Sequence, residues 1–291
     1  MNQNECPKWM IIPHCKYVKS WHPAIIIIGE LYMLIQSIFS IVILVKLIKT
    51  KKANYKAAHI FITICLLSCA LLRLPWWYMN SVVYYDNTPP AVAVQVLNRL
   101  AMLFLYLAQS YYVQTWLVLI FTLNAQVGKK QIQITFISFD IIVSGTILFT
   151  VISRFWDKEV HDNGSYGILY EISTKLLGVA SLFTSIMFIS IGSAILAKLR
   201  HFYRACSSTI LSFVTISILL FTAGVCRFLA LFYNDFFGKY MDNNVFAVLC
   251  YVVPDFLPCS VITAMQINIM IKHKQEYRPI SGLEEESVRL I

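Results

Sequence analysis

Residues 24–48 read AIIIIGELYMLIQSIFSIVILVKLI and are followed at once by Lys49, Lys51 and Lys52. Crossing the hydrocarbon of a bilayer takes about 20 mostly apolar residues, each rising about 1.5 Å along the helix. This stretch has the length, a single acid (Glu30) and a basic stop, so it is expected to be a membrane-spanning helix. Six further stretches share these properties: 57–83, 94–123, 132–153, 173–197, 207–233 and 245–271. The connections between them are too short for a soluble domain. Lipid offers no partners for backbone N–H and C=O groups, so the spans must be helices. The expected fold class is an all-α membrane protein, a seven-transmembrane helix bundle over residues 24–271, with an N-terminal tail at 1–23 and a C-terminal tail at 272–291.

Composition points the same way. Hydrophobic residues make up 58% and charged residues 13% of the 291, where soluble domains carry roughly 45–50% and 25%. Mean hydropathy is +0.66. Neither a disordered chain nor a water-soluble globule is compatible with these values.

The formal net charge is +9, but the basic residues flank apolar runs instead of forming a stripe. Membrane lipid is therefore the expected partner, and nucleic acid is not. Lys46 to Lys56, Lys129, Lys130, Lys198, Arg200, Arg204 and the C-terminal basic residues gather on one side, with half as many on the other. The richer side should be cytoplasmic, placing the N-terminus outside and the C-terminus inside in a multi-pass plasma-membrane protein. The sequon Asn163-Gly164-Ser165 falls on the expected outer side, which makes Asn163 a glycosylation candidate. Cys6 and Cys15 lie on that side too, where a disulfide between them is allowed. Residues 1–23 are interrupted by Pro7, Pro13 and Pro23, so no cleavable signal peptide is expected.

Soluble-enzyme motifs are absent: there is no phosphate-binding glycine loop and no Gly-x-Ser-x-Gly. No two histidines stand three or four residues apart, so neither a metal nor a cofactor is expected, and the chain is not expected to be an enzyme. Asp140 and Asp255 lack the Gly-x-Gly-Asp setting of intramembrane aspartyl proteases, and residues 245–271 contain no lysine for a retinal Schiff base.

Seven spans, an outer N-terminus and short basic inner loops resemble a G-protein-coupled receptor. The rhodopsin-like signatures are missing: residues 121–125 read Phe-Thr-Leu-Asn-Ala where Asp-Arg-Tyr is usual, and 254–259 read Pro-Asp-Phe-Leu-Pro-Cys where Asn-Pro-x-x-Tyr is usual. Residues 84–98 and 154–172 contain no cysteine for the common outer disulfide. Leu71-Leu72-Arg73-Leu74-Pro75-Trp76-Trp77 and the 254–258 segment look like those of nematode serpentine (seven-transmembrane) chemoreceptors, class xa within them. That resemblance implies sensing of a small molecule through a heterotrimeric G protein. The alternative is a seven-span small-solute transporter; prolines at 75 and 254 suit one, although the two halves show no self-similarity.

Six charges lie inside the spans: Glu30, Asp140 and Asp255 against Arg73, Arg99 and Arg227. Each costs about 2.5 kcal/mol or more if it faces lipid, so each should be paired or line a wet site. Counting from the outer helix ends, Arg73 and Asp255 fall at about 15 Å depth on the second and seventh spans, neighbours in receptor bundles, and are expected to pair. Arg99 and Arg227 fall at about 8–9 Å, and Asp140 at about 20 Å with no basic residue at its level. The charges either fix packing or hold a polar or anionic ligand in a pocket of Arg73, Trp76, Arg99, Tyr106, Gln109 and Arg227. Pro75, Pro254 and Pro258 are the expected kinks. Lys51, Lys52, Lys129, Lys130, Arg200 and Arg204 form an inner basic rim that meets lipid and, in a receptor, a G protein. Glu286 with Leu290 and Ile291 fits an acidic dileucine sorting signal.

Overall fold

The computed structural model describes residues 22–49, 56–86, 92–124, 129–153, 168–202, 207–238, 241 and 243–276. Apart from Gly238 and Met241, all of these are helical, as lipid requires of spanning backbone. The helices are α1 (His22–Lys49), α2 (Lys56–Asp86), α3 (Val92–Asn124), α4 (Lys129–Ser153), α5 (Ile168–Phe202) and α6 (Ser207–Phe237), then a short α7 (Asn243–Ala247), a π-helical turn (Val248–Val252) and α8 (Val253–Glu276). Seven spans from Pro23–Lys49 to Val245–Asn268 are long and apolar enough to cross a membrane, the last assembled from α7, the π turn and α8. The chain is a seven-span, all-helical membrane protein.

Neighbours in sequence pack as neighbours in space, and α8 returns to α1 and α2, which closes the ring. The centre belongs to α3, which touches α2, α4, α5 and α8. Its span is 61% buried, against 28% for α4 and 33% for α1. Large apolar side chains on the outer helices face outward, such as Ile141 at 66% and Ile142 at 63% exposure. Polar side chains turn inward instead, among them Gln36, Thr63, Asn98 and Gln266. This inversion is stable only where the outward face meets hydrocarbon.

Small residues set the tightest helix pair. At Gly224 of α6 an added Cβ would lie 2.6 Å from the Ser181 carbonyl oxygen of α5 and would strike the Ser185 hydroxyl as well. Ser185 Oγ also donates across to the Leu220 carbonyl at 3.2 Å. Close backbone approach through Gly and Ser is how membrane helices gain packing without a hydrophobic drive between them. The end of α6 is set by Gly238, whose φ of 62° is the left-handed capping conformation and whose N–H bonds the Asn234 carbonyl at 2.9 Å. Helix α6 therefore runs four residues past the expected limit at 233, which changes the depth of Arg227.

Gly224→Ala should lower the thermal stability of the detergent-solubilised protein by about 1–3 kcal/mol, because a backbone carbonyl cannot step aside. Gly145→Ala on α4, where an added Cβ meets nothing within 4 Å, should leave it unchanged. Equal midpoints for the two variants would contradict this account of the α5–α6 contact.

Candidate functional site

The π turn originates in proline chemistry. Pro254 has no N–H to give the Cys250 carbonyl four residues earlier, and its ring crowds that carbonyl. The helix widens there, and the N–H of Val253 reaches back five residues to the Val248 oxygen. The Cys250 carbonyl instead accepts from Arg227 Nε of α6 at 3.4 Å. Pro75 and Pro258, by contrast, sit within continuous helices. Of the three expected kinks, only the one at Pro254 changes the helix type.

One residue beyond Pro254, Asp255 is fully buried and joins two helices. Its Oδ2 lies 2.8 Å from Arg73 Nε of α2, and its Oδ1 accepts from Arg227 Nη2 of α6. Arg73 and Arg227 are themselves only 0% and 2% exposed. The structure thus brings Arg73 and Asp255 together and adds Arg227, which the sequence placed too shallow. From the true end of α6 at Phe237, Arg227 lies ten residues in, about 15 Å, level with the carboxylate.

Aromatic and amide groups complete the shell of Arg73. Its Nη1 donates to Asn98 Oδ1 of α3 at 2.6 Å. Its guanidinium carbon stands 4.6 Å from the ring centre of Trp76 and 5.1 Å from that of Tyr251 in the π turn. Cation–π contacts of this kind are strongest when desolvated, as here. Tyr251 also packs on Trp76 at 4.7 Å, and its hydroxyl accepts from Asn98 Nδ2 at 3.4 Å. The widened turn therefore delivers one aromatic ring into the charge cluster.

The expected ligand pocket divides among three places. Arg73, Trp76 and Arg227 meet at Asp255. Arg99 turns to α5, where its Nη2 donates to Thr174. Tyr106 turns to α4: its hydroxyl donates to Asp140 Oδ1 at 2.7 Å, beside Ser110 at 2.7 and 2.9 Å and Gln114 Nε2 at 2.8 Å. Asp140 finds neutral donors where no arginine reaches its level. Gln109 is buried on α3. Sequence reasoning missed Tyr251, whose inward position depends on the π turn, and the role of Asn98 as the bridge from Arg73.

A second polar seam binds α8 to α1 and α2 below the cluster. Tyr32 stacks on Phe256 at 3.8 Å and donates to its carbonyl at 2.8 Å, while Gln36 Nε2 donates to Thr263 at 2.8 Å. On the α2 side, Thr63 donates to Gln266 Oε1 at 3.2 Å. Lys51, Lys52, Arg204, Asn163, Cys6, Cys15, Glu286, Leu290 and Ile291 lie outside the described residues, and Lys129, Lys130 and Arg200 lie on helix ends whose side chains are outside them. Among the described residues, no three His, Cys, Asp or Glu side chains group as metal ligands.

Asp255→Ala leaves two buried guanidinium groups without their carboxylate and should cost about 3–5 kcal/mol, read as lost surface expression. The double variant R73D/D255R would rescue an isolated pair. Here it sets a second guanidinium against Arg227 and should fail to rescue; recovery to the native level would dissolve the three-residue cluster. Tyr106→Phe removes one bond to Asp140 and should cost about 1–2 kcal/mol in thermal unfolding. No family model matches the chain, and neither the curated proteins nor the solved structures provide a match.

Proposed function

We propose that this protein is a G-protein-coupled chemosensory receptor for a small molecule, with no catalytic activity. It resides in the plasma membrane with its N-terminus outside and its basic rim toward the cytoplasm. The observation that carries the reading is the buried Asp255, which holds α2 and α6 from a seventh span interrupted by Pro254 and a π turn. A receptor needs a bundle with two arrangements, and a ligand shifts it only by its differential affinity for them. Moving such an equilibrium from 1:99 to 99:1 takes about 5.5 kcal/mol. Stripping one partner from a buried ion pair costs about 3–5 kcal/mol, so a ligand that compensates or exchanges these contacts acts on energies of the size a switch requires.

Expression in a cell reporting G-protein activation, screened with small polar and anionic compounds, tests the proposal. A saturable response that disappears in Arg227→Gln at equal surface amount is expected. Asp255→Asn, which loosens α2 and α6 from α8, should raise ligand-independent signalling per receptor at the surface. Accumulation of a labelled solute with no G-protein response to any compound would instead identify a seven-span transporter.

A further inference from the structure

Two guanidinium groups share one carboxylate at the centre of the bundle, so the cluster carries one positive charge in excess. Among the described residues, the side chains that Arg73 meets besides Asp255 include Asn98, Trp76 and Tyr251, an amide and two aromatic rings that bring no carboxylate. A buried, uncompensated charge is among the most expensive things a protein can hold. The donors are not exhausted either. Nε of Arg73 faces Asp255 and Nη1 serves Asn98, but Nη2 is buried with no hydrogen-bond partner.

A second orphan stands one helical turn outward. Gln95 of α3 is 3% exposed, and both atoms of its side-chain amide lack a partner. It precedes Asn98 by three residues and so shares that face of α3. Helices α2 and α3 lie antiparallel, and the register that sets Arg73 beside Asn98 sets Trp76 level with Gln95. Gln95 thus stands one turn outward of the Arg73–Asn98 contact, on the α3 face that carries Asn98. An apolar filler would serve this position better than an unsatisfied amide.

We propose that this place holds a small monovalent anion, a halide or a short carboxylate, between Arg73 Nη2 and the Gln95 amide N–H. The rings of Trp76 and Tyr251 stand over the guanidinium, so the anion lies in its plane, where the donors point. The anion neutralises the excess charge, and it competes with Asp255 for Arg73. It is thus a chemical class of ligand able to loosen α8 from α2. The inference rests on the receptor reading only in that last step; the binding itself does not require it.

The test uses the purified full-length chain in detergent at constant ionic strength, with sodium gluconate as the bulky reference anion. Replacing gluconate by chloride, or by acetate, should raise the thermal unfolding midpoint by a few degrees in a saturable way. Gln95→Leu should reduce that rise, and Asp255→Asn, which adds one more unit of net positive charge, should enlarge it. A rise with chloride alone assigns a halide, and a rise with acetate assigns a carboxylate. The same midpoint in all three salts, or identical salt responses in the wild type and both variants, overturns the anion site. Neither result decides whether the protein signals, because G-protein activation is read separately.

Discussion

Asp255 is the group that Arg73 and Arg227 cannot do without. Each arginine sits deep within a membrane-spanning helix, and each would be costly there alone. Both reach the same carboxylate, one from α2 and one from α6. For that to happen α8 must lie between those helices, and α8 also contacts α1, so satisfying the two charges closes the ring. A buried ion cluster of this sort adds little net stability over a well-packed apolar core. What it adds is specificity: alternative packings of the seventh span would strand two positive charges.

Pro254 explains why the clasp can work where it does. Had a residue with an N–H stood there, the Cys250 carbonyl would have been satisfied within its own helix. The freed carbonyl gives Arg227 a second acceptor, and the extra residue in the turn rotates the preceding segment so that Tyr251 faces Arg73. Backbone defect and charge cluster thus support each other. Sealed inside lipid, a π turn is tolerated only if its irregular groups find partners, and the arginine supplies one.

Seven spans were legible because hydropathy over about 20 residues is a strong signal that tertiary contacts rarely override. Arg73 and Asp255 were legible as partners because their depths agree and their charges cannot face lipid. The place of Arg227 was not, since hydropathy reports the thickness of hydrocarbon and not the end of a helix. Helix α6 continues through the polar Asn234 and Asp235 to its glycine cap, and that cap at Gly238 was the overlooked clue. The residues read as one pocket make separate contacts for a different reason. Arg99 and Tyr106 stand seven residues apart on one stripe of α3, but a central helix has neighbours all round it, and spacing alone does not say which neighbour a side chain meets. Only the packing sends Arg99 to Thr174 and Tyr106 to Asp140.

That division on α3 also separates two ways in which the helices are joined. Asp140 is held by three side chains of one helix through four contacts of ordinary length, all from neutral donors. The Asp140 carboxylate is thus satisfied by hydrogen bonds from one neighbouring helix, which tie α4 to α3 without an arginine. The α5–α6 pair is fixed as well, because Gly224 lets the backbones touch. The seventh span is different: a buried charge cluster ties it to α2 and α6, a long bond from Asn98 to Tyr251 ties it to α3, and the neutral seam at Tyr32, Gln36 and Thr63 ties it to α1 and α2. The seventh span is thus the one whose place depends on buried charge, at the π turn where its helix is already irregular.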